Sequence, residues 1–332
     1  MKPSIAFVTG GYSGESVISY KSALTILSNV DREAYDIYKI DITPKGWWYE
    51  TLQGNRSPVD REDFSITDEG KKIHFDAVLI GIHGTPGEDG KLQGYFDLVG
   101  LPYTSCDAAT SALTFNKRYT VAVASFSGIH VSKSVLLIEG KMGDAGEVAS
   151  QLKFPVFVKP NNGGSSIGMS KVLFPDDLES AIAKAFREDS QVLVEEFISG
   201  REFTIGVFRS EGQIITLPIT EIKTNKEFFD FEAKYTPGFT DEITPALLDR
   251  EMESSIRAAA RKVYQVFNCS GVVRIDFIFD EKRGEPCMLE INTVPGQSEA
   301  SIVPQQVRAM GWTLKQFYSA LIEEALSRRQ PV

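Results

Sequence analysis

Apolar residues come first as a short unbroken run, Ile5 to Val8, which predicts a strand. The loop Thr9–Glu15 follows, and a helix is predicted from apolar positions at Val17, Ala23, Leu24 and Leu27. Tyr35–Ile42 and Ala77–Ile82 are the next apolar runs. Strands separated by helices predict a parallel sheet wound with helices. Ligands of such sheets gather at the carboxyl ends of the strands. The loops at Glu15 and at His83–Gly90 both fall there. After Pro102 the pattern changes. Asn116 and Lys117 open a predicted helix, and Phe154–Pro160 is a buried strand containing a lysine near its end. Ser170–Leu173, Gln191–Phe197 and Phe203–Phe208 are further strands, with Asp176 or Asp177 a cap for the helix between. Residues 223–244 are polar and irregular, too long for a structureless loop in a compact domain, and such loops are often lids. Residues 247–267 read as a helix with Ile256, Ala259, Ala260, Val263 and Phe267 on one side, and Leu314–Leu326 as a second amphipathic helix.

The last two apolar runs, Arg274–Phe279 and Leu289–Gly296, carry oxygen-bearing side chains where a core is expected. Side chains on a strand alternate faces, so Arg274 shares a face with Asp276, and Glu290 with Asn292. Asp280–Glu285 reads as the connecting loop of a hairpin, and a turn near Arg283 sets Asp276 almost opposite Glu290. Two carboxylates and an amide with Arg274 as sole counter-charge are costly unless a cation joins them. Hard oxygen donors of this kind suit magnesium. The plain alternative is a hairpin with one wet face.

The composition changes this picture little. The chain has 332 residues, enough for two or three domains, with 42% hydrophobic and 24% charged residues. A net charge of −10 argues against a nucleic-acid surface, although a local cluster of Lys and Arg can still hold a small anion. Three scattered cysteines, Cys106, Cys269 and Cys287, lack metal-ligand spacing and fit a reducing compartment. The first apolar run is too short for a signal peptide, and no run approaches a membrane span.

Lys159 lies in an apolar strand, where its ammonium needs an anion or water. The loop Gly163, Gly164, Ser165, Ser166 follows and leads into another strand. It is not a Walker loop; it reads as a hairpin flap over phosphates, or as a plain turn. Glu195, Glu196 and Glu202 suit an adenine amine or ribose hydroxyls, or else are charges that protect a sheet edge. The Gly10–Glu15 loop lacks dinucleotide spacing, and Glu15 would repel a pyrophosphate. Its carboxylate suits an ammonium, or serves as a helix N-terminal acid. His83, one of three histidines, has no role assignable from its loop alone.

Taken in order, these segments resemble the ATP-grasp superfamily, and over nearly the full length the D-alanine–D-alanine ligase family. The matching motifs are Gly10–Glu15, His83–Gly94, Asn116-Lys117, Val158–Pro160, Gly164–Gly168, Glu202–Thr204, Phe231–Tyr235, Arg274–Asp276 and Glu290–Gly296. The strand-end carboxylates and the flap are generic to ATP-grasp enzymes, whereas the loop at His83 and the segment at Tyr235 are more specific. The resemblance implies an N-terminal parallel-sheet α/β domain (1–104) followed by a two-part ATP-grasp fold that binds ATP between two sheets. Its parts are a central subdomain (105–190) and a C-terminal domain (191–332) with the lid loop 223–244.

The resemblance also implies roles. Asp276, Glu290 and Asn292 hold two magnesium ions, with Mn2+ able to substitute. Lys117, Lys159, Ser165, Ser166, Glu195, the backbone near Ile198, Glu202, Lys234 and Asn292 serve the nucleotide. Glu15 takes the first D-alanine's ammonium, His83 lies near its carboxylate, and Ser301 receives the second substrate's carboxylate. Arg274 and the Gly296 N–H stabilise the tetrahedral oxyanion, and Glu15, Ser165 and Tyr235 form a set that closes the lid. Tyr235 goes with dipeptide rather than D-alanyl-D-lactate products. The resemblance further implies a homodimer in a bacterial cytoplasm, serving peptidoglycan synthesis. Three positions depart from the family pattern: Gly163, often a side-chain-bearing residue; Gln297, commonly Met or Phe; and Glu196, often Lys.

Overall fold

The computed structural model describes residues 2–51, 54–141, 143–164, 167–224 and 240–328. Ser165, Ser166, Lys234, Tyr235 and most of the expected lid lie outside the described residues.

The strand Ser4–Gly10 is central to the first sheet, parallel to Asp36–Thr43 on one side and Ala77–Ile80 on the other. The parallel core expected from the sequence is present, but the sheet continues into antiparallel strands Gly46–Glu50 and Arg56–Pro58 that the apolar pattern does not reveal. These strands are short and half exposed, so they carry no continuous apolar run. Phe64, Phe75, Phe96 and Tyr103 pack one face of the sheet, and the helices Ser16–Asn29 and Leu314–Ser327 cover the other.

The helix Ser16–Asn29 turns inward only part of its expected apolar set, with Ala23 in the core and Leu27 packed against it. Ala23 and Ile26 are buried together with Ser19, Ser22 and Thr25, whereas Val17 is 57% and Leu24 71% exposed. Both buried serines are used: Ser19 Oγ accepts from the His83 backbone N–H at 2.9 Å, and Ser22 Oγ meets the His83 ring at 2.8 Å.

A second, antiparallel sheet has the order Ser170–Val172, Val156–Pro160, Gln191–Glu196, Ser134–Ile138. The helices Ala145–Gln151 and Leu178–Phe186 pack its apolar face. Neither aspartate caps the latter as expected: both lie in the 3-10 turn Pro175–Asp177, and Asp177 makes no side-chain capping bond. The strand Gln191–Glu196 belongs to this sheet, so the division expected after residue 190 falls inside the sheet's span. The helices Ala108–Phe115 and Lys117–Phe126 lie against the C-terminal core instead, through Leu113, Val123 and Ala124.

The third sheet runs Thr240–Ile243, Thr220–Thr224, Gly200–Ser210, Val273–Asp280, Glu285–Asn292, all antiparallel, with Gln213–Thr216 paired to Gly200–Ser210. Val273, Ile275, Phe277 and Phe279 point into a core shared with Ile256, Ala260 and Val263 of the helix Arg250–Val266. Alternation then leaves Arg274, Asp276 and Ile278 on the opposite face.

Candidate active site

The hairpin has the register expected of it. Asp276 lies across from Glu290 and Arg274 across from Asn292. A bulge leaves Leu289 as an extra residue, so Met288 joins Phe277 in the core while Glu290 stays beside Asp276. Arg274 donates from Nε and Nη2 to the two Asp276 oxygens, each at 2.9 Å. The Thr204 hydroxyl donates to Asp276 Oδ1 at 2.5 Å, and Asn292 Nδ2 to Oδ2 at 3.3 Å. Burial works against the Arg274 charge, but Asp276, Glu290 and Glu88 outweigh it and raise its pKa.

Two carboxylates and an amide on one face are a hard-oxygen donor set. Among the described residues no group of three or more His, Cys, Asp or Glu side chains closes around a metal. The donors present, Asp276 and Glu290 with Asn292, fit magnesium, which is usually held by one or two carboxylates and completes its shell with water and substrate phosphate.

Lys159 and Glu195, on neighbouring strands of the second sheet, form an ion pair at 2.5 Å with little exposure of either side chain. Cys287 of the hairpin lies next to them: burial, then Glu195 and Asp280, push its thiol up to about 12. Val131 bridges to Met288, and the Met288 N–H donates to the His130 carbonyl at 2.9 Å, bringing the entry to the second sheet beside the hairpin. Ile198 lies between Gln191–Glu196 and Gly200–Ser210, and Glu202 on the latter strand pairs across to Ile222 and Ile278. Lys159, Glu195, Ile198 and Glu202 therefore lie where the second and third sheets meet. Glu196 accepts from the Lys153 N–H at 2.9 Å, so in this chain its carboxylate anchors the preceding loop.

Lys117 Nζ donates to the Gly163 carbonyl at 2.6 Å, tying the helix start to the flap. Asn116 caps that helix by accepting from the Tyr119 N–H at 3.0 Å. Gly163 has φ +102°, in the left-handed region where a side chain is strained. The flap reaches Glu15: a Cβ on Gly164 would lie 2.7 Å from Glu15 Oε1, and one on Gly84 2.3 Å from Oε2. The Glu15 carboxylate thus sits in a slot between two glycines. Burial and Glu88 raise its pKa, opposed by His83, Lys117 and Ser13. An anion that burial disfavours gains from a ligand ammonium.

His83 is fully enclosed and both ring nitrogens are engaged by protein. Nδ1 donates to the Val294 carbonyl at 2.7 Å, because a carbonyl can only accept, and burial lowers the ring's pKa and keeps it neutral. Nε2 therefore accepts from the Ser22 hydroxyl. Glu88, which sequence reasoning passed over, accepts from the Gly84 N–H at 2.7 Å and the Val294 N–H at 3.1 Å. Although it retains some surface, burial pushes its carboxyl up to about 7. A glutamate inside a glycine-rich loop was the available signal. Ser301 precedes the helix Ile302–Ala309, and its Oγ accepts from the Ser298 N–H at 3.0 Å. A Cβ on Gly296 would lie 2.8 Å from that Oγ, so Gly296 and Ser301 are adjacent. A helix N-terminus suits a carboxylate.

Two antiparallel sheets meeting at a buried lysine–glutamate pair, a glycine flap and a carboxylate hairpin beside an N-terminal parallel sheet define an ATP-grasp ligase. Two family models match, "D-ala D-ala ligase N-terminus" over residues 4–106 and "D-ala D-ala ligase C-terminus" over residues 117–323. The D-alanine--D-alanine ligase of Parabacteroides distasonis is 44% identical over 330 residues, covering 99% of each chain. That of Flavobacterium psychrophilum is 44% identical over 326 residues, 98% of each. Among solved structures, the VanG D-Ala:D-Ser ligase of Enterococcus faecalis superposes with a TM-score of 0.88 at 32% identity, covering 98% of this chain and 100% of that one. The Bacillus anthracis D-alanine--D-alanine ligase complexed with ATP gives 0.78 at 27% identity, covering 98% of each. The chain belongs to the D-alanine–D-alanine ligase family.

Proposed function

We infer that the protein joins two D-alanines, forming ADP and phosphate, and so supplies a dipeptide to peptidoglycan synthesis. The observation that carries this reading is the convergence of Asp276, Glu290, Arg274 and the Glu15 slot: Arg274 acts electrostatically on both His83 and Glu88 of the loop that packs against Glu15. The first D-alanine's carboxylate attacks the γ-phosphoryl group of ATP and gives an acyl phosphate. The second D-alanine's amine attacks that carbonyl and expels phosphate.

Glu15 holds the first ammonium between Gly84 and Gly164. Lys117 and Lys159 neutralise phosphate, with Glu195 releasing Lys159 to the nucleotide and the backbone near Ile198 and Glu202 placing adenosine. Asp276, Glu290 and Asn292 would hold magnesium, which supplies charge neutralisation for the phosphates. Arg274 and the Gly296 N–H receive the oxyanion of the second step. Ser301, at its helix start, takes the second carboxylate. Closure of the flap and of the lid with Ser165, Ser166, Lys234 and Tyr235 excludes water from the acyl phosphate.

The protein acts in the cytoplasm; among the described residues no helix is long and apolar enough to cross a membrane. It works as a homodimer, an arrangement favoured by the exposed stripe Val17, Tyr20, Leu24 on the helix Ser16–Asn29.

The test is ADP release with D-alanine alone and with D-alanine plus D-lactate or D-serine at neutral pH. Stimulation by D-alanine alone is expected, with no preference for the mixed products. The likeness to a D-Ala:D-Ser ligase makes D-serine the informative competitor. Preferred incorporation of either alternative would overturn the choice of second substrate.

A further inference from the structure

The segment that carries Gly296 is held on both sides by residues of the N-terminal part of the chain. Ahead of it, Val294 uses both backbone groups: its N–H donates to Glu88 Oε1 at 3.1 Å and its carbonyl accepts from His83 Nδ1 at 2.7 Å. Behind it, the Gln297 N–H donates to Ser22 Oγ at 3.1 Å. The directions close without conflict. Gln297 donates to Ser22, Ser22 donates to His83 Nε2, His83 donates to Val294, and Val294 donates to Glu88. Glu88 also accepts from the Gly84 N–H at 2.7 Å, which fixes it to its own loop. Pro295 stiffens the link between Val294 and Gly296 by locking φ. The Gln297 side chain is itself held, donating to the Pro295 carbonyl and accepting from Tyr318 OH, each at 3.3 Å.

We propose that Glu88, with His83 and Ser22, forms a bracket that sets the position of the Gly296 N–H relative to Arg274, making Glu88 a positioning residue for the second, peptide-forming step. The proposal rests on the activity proposed above. A carboxylate is the side chain this place requires, since it must accept from two backbone N–H groups at once. An amide accepts with its oxygen but turns N–H donors toward the other, leaving a donor facing a donor. None of Glu88, His83 and Ser22 is assigned to ATP, and the segment they hold carries the Gly296 N–H, so loss of the bracket is expected to act first on the acyl-transfer step.

The experiment compares wild type with Glu88→Gln and Glu88→Asp. Three readouts are taken: the KM for ATP, dipeptide formation, and scrambling of a bridging heavy-oxygen label within ATP in the presence of D-alanine, which reports reversible acyl-phosphate formation alone. In Glu88→Gln the ATP KM and the scrambling are expected to stay at wild-type levels while kcat for dipeptide falls about a hundredfold, the usual effect of a misplacement of about 1 Å. Glu88→Asp is expected to recover part of that loss. Unchanged kcat in Glu88→Gln overturns the proposal, as does a parallel fall in scrambling, ATP affinity and kcat. If Glu88→Gln does not fold, Ser22→Ala tests the other side of the bracket by the same split, and wild-type behaviour there overturns it. A wild-type protein without D-alanine-dependent ADP release contradicts the proposed function itself, an outcome separate from these.

Discussion

Glu290 sits opposite Asp276, on the side of the hairpin that its bulge keeps in register. Replacing it with Gln removes a negative charge without changing shape, so the fold should survive while turnover falls about a hundredfold or more. ADP release together with a thermal melt checks both halves of that expectation. Lys159 is a different case, because its partner Glu195 is 7% exposed. Lys159→Met strands a buried carboxylate and should cost about 3 kcal/mol in denaturant unfolding, besides raising the KM for ATP. Glu88 gives a pH signature. Its carboxyl moves from 4.5 to about 7 in the folded protein, with burial the leading cause. The native state therefore keeps a proton that the unfolded chain releases. The associated stability is full below the unfolded value and is lost as pH rises through about 7. Metal-free wild type should thus lose stability relative to Glu88→Gln between about pH 5 and pH 8, by an amount on the order of 3 kcal/mol at most. Equal slopes in the two proteins would contradict it.

At the scale of elements, the hairpin, the strand bearing Lys159 and the helix Arg250–Val266 were readable because each has a strict period. Apolar residues at every second position, or three and four apart, survive any tertiary context that buries one face. Less legible was the inward face of the helix Ser16–Asn29, which is made of Ser19, Ser22 and Thr25 as much as of Ala23 and Ile26. Those serines are recruited by His83, a partner over sixty positions away, and no local pattern records that demand. The same reason hid Glu88 and the bond from the His83 ring to Val294: their partners lie in the loop after the hairpin. The short strands Gly46–Glu50 and Arg56–Pro58 have too few buried positions to announce themselves. The helix Lys117–Phe126 offers a test at this scale. Asn116→Ala removes its cap, which should cost about 1 kcal/mol. It should also loosen Lys117 from the Gly163 carbonyl. A raised KM for ATP with kcat little changed is the expected result, measured by initial rates.

For the whole molecule, the exposed stripe Val17, Tyr20 and Leu24 is what the proposed homodimer has to cover. Leu24→Glu should shift the protein to a monomer in light scattering after gel filtration without lowering its melting temperature as a buried change would. A monomeric wild type would remove the reason for the stripe's assignment to a second copy.

The first sheet and the last helix share one core: Ile5, Phe7, Ala23, Ile26 and Leu79 pack with Val303, Phe317, Tyr318, Leu321 and Ile322. During synthesis the opening strands leave the ribosome long before the residues that cover them. The helix Ser16–Asn29 covers only part of their apolar face, and the rest stays bare until Leu314–Ser327 emerges, so the first layer is finished only after the C-terminal sheet has been made. A truncation that spares every residue of the site yet removes Leu314–Ser327 should leave a chain that depends on chaperones and aggregates without them.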